Sequence, residues 1–229
     1  MRKIGLIGGM SWVSTRTYYE DINQLVQSRT TKVASAPLLI ESLDFTDLIR
    51  LSTPEQWAHA ADVLADSALR LEQAGATALL IGANSMHKVY DKVAEAVSVP
   101  VIHIADAVGA KMKDAGVTNA TLLGTRNVVM ESFYRKRLIA HGVSLLPPVV
   151  EEVEAMDAII YDELMQGKAS RAAERTFKTM LTNMGQRGAQ AAVLACTELD
   201  MVIDVDANVL PIFDGTRIHA QAAVDWILG

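Results

Sequence analysis

The sequence predicts an α/β protein of two similar lobes, each a parallel sheet flanked by helices, and three observations carry that prediction. Short, near-continuously apolar runs alternate with longer stretches of helical period, the pattern of parallel strands covered on both faces. At 229 residues, half of them hydrophobic and 21% charged, the chain can bury a core for one large domain or two of roughly 100–150 residues each. Finally, Gly75–Ser85 can be laid over Gly188–Glu198 without a gap. In each, a helix-ending Gly-Ala leads into a buried strand, then a small residue and two polar ones. A weaker echo joins Leu6–Gly9 to Leu122–Thr125. Such a repeat makes Ala83 and Cys196 mates at the carboxyl ends of corresponding strands, where ligands of open α/β sheets bind. The binding cleft is therefore expected between the lobes.

Taken in order, the predicted strands are Lys3–Ile7, Pro37–Glu41, Ala78–Gly82, Val101–Ile104, Ala120–Leu123, Val143–Leu146, Ala191–Ala195 and Val209–Phe213. Helical patterns fill most of the gaps. The clearest opens at Thr53-Pro54-Glu55-Gln56. Thr53 can cap, Pro54 suits the first turn and Gln56 can close a capping box. Ala60, Val63, Leu64, Ala68 and Leu71 then follow the helical period, and Gly75 ends it. No Gly-, Ser- or Pro-rich linker divides the chain.

Composition narrows the function. Acidic residues outnumber basic ones 27 to 21, and no Lys/Arg cluster stands out, which argues against a nucleic-acid partner. No apolar run approaches the roughly 20 residues that span a bilayer. The first residues read as a strand, not a signal peptide. The single cysteine excludes an internal disulfide, and a cytoplasmic protein is expected. No ligand spacing suggests a metal.

The residues that can carry chemistry sit at strand ends. Cys196 ends an apolar run and is followed by Thr197 and Glu198. Free cysteines are commonly buried and inert, but backbone N–H groups at a strand-to-helix turn favour thiolate and bind carboxylates. Asn84 and Ser85 follow the equivalent strand; they read equally as a helix cap or as donors to a small carboxylate. His87 and Lys88 read as ordinary first-turn surface residues. Gly8-Gly9-Met10-Ser11 lacks dinucleotide-site spacing and is either a plain turn or one offering N–H groups. The five histidines are scattered. His103 and His219 each follow a strand and can orient a ligand or carboxylate.

Together these pieces resemble the aspartate/glutamate racemase superfamily, in its aspartate-racemase-like branch. The matching segments are Ile4–Trp12 with Tyr18-Tyr19, Asn84–Lys88, Leu122–Arg126 with Phe133-Tyr134, Cys196–Glu198, and Leu210–Asp214 with Ile218–Ala220. The resemblance implies a homodimer of two-lobed subunits acting on a small amino-acid or dicarboxylate substrate with no cofactor. It also implies a second lobe, residues 105–207, inserted into a first lobe of 1–104 plus 208–229, to which the last strand and helix return. Removing the proton on one face of Cα and returning it on the other calls for two groups. The family uses two thiols, with donors around the α-carboxylate to hold the developing charge. Cys196 matches the second thiol. Asn84, Ser85 and Thr197 fall at the donor positions to the substrate carboxylate, with Met10 lining the substrate pocket and Glu198 supporting the binding loop.

Two departures from the family pattern stand out. Ala83 occupies the first thiol position, and alanine has no exchangeable proton. Three readings follow: a racemase impaired or one-sided at this position, a one-cysteine decarboxylase or isomerase of a small carboxylic acid, or a binding protein on an inactive scaffold. The cations that some aspartate racemases carry are also missing from Asp44–Asp47 and Leu164–Gly167, which opens a broad or neutral substrate range.

Overall fold

The computed structural model describes all residues, 1–229. Its elements in order are β1 (Ile4–Gly8), α1 (Trp12–Arg29), β2 (Leu38–Ser42), α2 (Pro54–Gln73), β3 (Ala78–Ile81), α3 (Tyr90–Ala96), β4 (Val101–Ile102) and α4 (Ile104–Asp114). They continue with β5 (Asn119–Gly124), α5 (Arg126–Met130), α6 (Ser132–Ala140), β6 (Ser144–Leu145), α7 (Val150–Asp162), α8 (Arg171–Gln186), β7 (Ala191–Ala195), β8 (Ile212–Asp214) and α9 (Gly215–Leu228). Every expected strand is present. The strands form two four-stranded parallel sheets, ordered β2-β1-β3-β4 and β6-β5-β7-β8. The identical order supports the internal repeat, as do Gly75 and Gly188, at φ 93° and 95° just before β3 and β7.

The chain divides into a unit of Met1–Ile104 with His219–Gly229 and a unit of Ala105–Ile218. This differs from the sequence expectation at the return point. Residues 208–218 belong to the second unit, because β8 pairs with β7, Ala192 facing Ile212 and Leu194 facing Asp214. Only the length of α9 from His219 onward rejoins the first unit.

In the first unit the central strands β1 and β3 alternate between two buried faces. Ile4, Leu6, Ala78 and Leu80 pack with Tyr18, Ile22 and Val26 of α1 and Ala220, Ala223, Val224 and Ile227 of α9. Ile7, Leu79 and Ile81 pack against Trp57, Ala60, Leu64, Ala68 and Leu71 of α2. Helix α2 starts as predicted: Thr53 accepts from the Gln56 amide while the Gln56 side chain accepts from the Thr53 N–H.

In the second unit, all of β7 is buried, as are Phe177, Met180, Leu181 and Met184 of α8 and Val153, Met156 and Ile160 of α7. Two thioethers tie these helices to β5: Thr121 Oγ1 donates to Met184 Sδ (3.1 Å), and the Gly124 N–H donates to Met156 Sδ (3.3 Å). No helix is long and apolar enough to cross a membrane.

Candidate functional site

At the carboxyl end of β7, Cys196 turns the chain into a short 3-10 stretch, Thr197–Met201. The thiol is 7% exposed and donates to Glu198 Oε2 at 3.1 Å. Burial pushes the thiol well above its ordinary range, and the neighbouring Glu198 carboxylate pushes it further. The Glu198 backbone N–H pulls the other way, as the sequence predicts for a helix start, but it is outweighed. Cys196 therefore rests as a thiol whose proton already points at a carboxylate.

Around Cys196 the strand register lines up further polar groups. Gly124 faces Ala195 and Leu194 faces Asp214, so Thr125, Cys196 and Thr216 follow in one row along the carboxyl edge. Thr197 Oγ1 lies 3.5 Å from Thr216 Oγ1. Asp214 accepts from the Thr216 and Arg217 N–H groups and so caps α9. Burial raises its carboxyl pKa, and those two amides oppose the rise. The Thr125 and Tyr134 hydroxyls are buried without a hydrogen-bond partner, an arrangement that costs free energy unless something else uses it. Burial also raises Tyr134, with Asp214 adding to it. Sequence reasoning assigned no role to Thr125, Tyr134, Asp214 or Thr216. Their signal was that Thr125, Tyr134 and Asp214 lie in segments that match the family pattern.

In the first unit, Ala83 and Ser85 are half-buried beyond β3, and Asn84 is buried. Asn84 makes no side-chain cap bond to the 3-10 stretch Ser85–Val89, and its Oδ1 has no partner. The cap reading thus fails, which leaves the amide oxygen uncommitted. His87 is not a surface residue: it is 2% exposed and reaches back to the Ala83 carbonyl, Nδ1 to O 3.0 Å.

The β1 loop spends part of its polar capacity within its own turn. The Gly9 N–H is spent on Thr15 Oγ1 (2.7 Å), and Ser11 caps α1 through the Ser14 N–H. Gly9 has φ +85°, and a Cβ there would sit 2.1 Å from the Leu43 carbonyl oxygen, so only glycine fits. Met10, expected at a pocket wall, is buried in the core with Ile7, Leu48 and Trp57. His103 and His219 are likewise buried, in an aromatic cluster with His87, Tyr18 and Tyr90. No group of three or more His, Cys, Asp or Glu side chains is arranged to hold a metal ion.

Comparison with known proteins gives this arrangement a context. Residues 7–223 match the model of the Asp/Glu/hydantoin racemase family. The broad specificity amino-acid racemase RacX of Bacillus subtilis is 22% identical over 98% of both chains. A Yersinia pestis structure provisionally assigned as an Asp/Glu racemase superposes with a TM-score of 0.93 at 37% identity, covering 100% of both chains. An aspartate racemase homologue from Pyrococcus horikoshii gives 0.87 at 30% identity, again over 100% of each. With nearly its whole length matched by the family model and its fold shared with two such relatives, this chain belongs to the Asp/Glu/hydantoin racemase family.

Proposed function

We propose that the protein moves a proton at the α-carbon of an amino acid, as a racemase of broad rather than dicarboxylate-restricted range. Cys196 is the acid/base thiol and Glu198 its immediate proton partner. The observation that carries this reading is the Cys196–Glu198 contact at the carboxyl end of β7. As the Cα–H bond breaks, its proton passes to the Cys196 sulfur while the thiol proton passes to Glu198. The electron pair left at Cα spreads into the α-carboxylate. Asn84, Ser85 and Thr197 supply hydrogen-bond donors to that carboxylate, and Met10 supports the β1 loop from within the core. Ala83 offers no proton on the opposite face, so return to Cα is mostly from Cys196 itself, with retention, and inversion to the other enantiomer is impaired and one-sided. The broad range is supported by the missing cations in Asp44–Asp47 and Leu164–Gly167 and by the similarity to RacX.

The test is a panel of acidic, neutral and basic L-amino acids followed by chiral chromatography. Ala83→Cys should raise formation of the D enantiomer, and Cys196→Ser should abolish whatever turnover exists. Turnover unchanged in Cys196→Ser would reject the assignment.

One observation favours a second reading. A malonate that loses carbon dioxide leaves a carbanion needing a single proton, and one thiol can deliver it. Ala83 is then no defect. Carbon dioxide release from malonates, without Cα exchange in any amino acid, would select this reading.

A further inference from the structure

The first unit buries three histidines, and their hydrogen bonds fix which nitrogen carries each proton. The Ile104 N–H donates to His87 Nε2 (3.2 Å), so Nε2 presents a lone pair. His87 Nδ1 faces the Ala83 carbonyl, an acceptor, so Nδ1 carries the hydrogen. His219 is the opposite tautomer. Its Nε2 faces the Ile102 carbonyl (2.9 Å) and must donate, while Nδ1 accepts from the Tyr18 hydroxyl (2.8 Å). Both rings are neutral with both nitrogens used. The His103 ring stands edge-on between His87 (4.5 Å) and Tyr90 (4.7 Å). This aromatic packing braces His87 from one side.

The consequence falls on the loop beyond β3. A 3-10 stretch opening with Asn84 would ordinarily be held by the Asn84 side chain, yet that side chain caps nothing. His87 holds the turn instead, one helical turn on, by gripping the carbonyl of the Ala83–Asn84 peptide. In a trans peptide the C=O and N–H point in opposite directions. Fixing the carbonyl toward His87 therefore directs the Asn84 backbone N–H away from it; separately, the Asn84 side-chain oxygen has no partner.

We infer that His87 is a positioning residue for the first proton-transfer position: its Nδ1–H grips the Ala83 carbonyl and fixes the Ala83–Asn84–Ser85 backbone. The functional meaning rests on the racemase reading above, but the geometry does not. Two substitutions separate the two nitrogens. His87→Asn places an amide N–H where Nδ1 stood and keeps the bond to Ala83. His87→Gln reaches toward the place of Nε2 and gives that bond up.

The first test is long-range nitrogen-15 NMR of the histidine-labelled protein. His87 should be protonated at Nδ1 and His219 at Nε2; an Nε2–H His87 overturns the inference. The second uses Ala83→Cys as the parent. His87→Gln should lower kcat on the order of tenfold to a hundredfold with KM little changed, the size expected of a misplaced reacting group, whereas His87→Asn retains most of it. Equal losses in the two variants overturn the positioning role. If Ala83→Cys with His87 intact shows no turnover, it is the racemase reading that has failed. The introduced thiol of Ala83→Cys/Cys196→Ser then carries the test. Its apparent pKa, read from alkylation rate against pH, should rise in His87→Gln and hold in His87→Asn; identical profiles refute the inference.

Discussion

Glu198→Gln pushes two measurable properties of Cys196 in opposite directions. In the structure the thiol and carboxylate are 3.1 Å apart and both are buried. Two unit charges at that separation repel by about 5 kcal/mol at an effective dielectric of about 20. That repulsion opposes forming the thiolate beside a charged Glu198. Glutamine keeps the shape and removes the charge. Recovering only a quarter of the repulsion raises the thiolate fraction at neutral pH about tenfold. The assay is the pH dependence of modification by a small thiosulfonate, with intact mass reporting the single cysteine. The rate at pH 7, normalised to its high-pH plateau so that access cancels, should rise at least tenfold by the same reckoning. Racemisation or Cα exchange should fall instead, by about 10²–10⁴-fold, the usual worth of a positioned proton acceptor. A thiol that reacts no faster at pH 7 would refute the electrostatic coupling. Faster modification with undiminished exchange would remove Glu198 from the proton path.

The remaining predictions concern the scaffold. Tyr18→Phe leaves His219 Nδ1 buried without its donor, which should cost about 2 kcal/mol and lower the melting midpoint by roughly 4–8 °C for a chain this size. Burial lowers the His219 pKa from 6.5 to about 4, so the unfolded chain takes up the proton first. Stability should then fall between pH 6.5 and 4 by roughly 3 kcal/mol from this group, offset in part by Asp214, whose raised pKa acts with the opposite sign. His219→Leu should flatten that slope in melting curves taken across the window. Gly9 and Gly142 share φ +85°, but a Cβ at Gly142 meets nothing within 4 Å. Gly142→Ala should cost only the backbone strain, about 1–2 kcal/mol, and Gly9→Ala distinctly more, in parallel denaturant titrations.

Periodicity and the internal repeat made much of this architecture legible. The central strands β1, β3, β5 and β7 are buried on both faces and stand out as unbroken apolar runs, and the Thr53–Gln56 capping box is a local signal that packing did not override. The return point was not legible, because the pairing of β8 with β7 is a long-range choice that no local pattern encodes. Of the site, Cys196, Asn84 and Glu198 were visible through their place after apolar runs. The direction of the Cys196 shift was not, since a helix-start amide can be read from sequence but the burial that outweighs it cannot. His87 looked like a surface residue for the same reason. Its partners, Ala83, Ile104 and His103, come together only when β3, α4 and the end of β4 are packed.

The most direct test of the thiol assignment is to incubate the protein with L-amino acids in deuterated water, following the Cα proton by NMR beside chiral chromatography. A lone thiol that exchanges with solvent between removal and return should place deuterium at Cα of an accepted L-amino acid faster than the D enantiomer forms. The D enantiomer itself should barely exchange, and Cys196→Ser should abolish both signals. Exchange that survives Cys196→Ser would contradict the account.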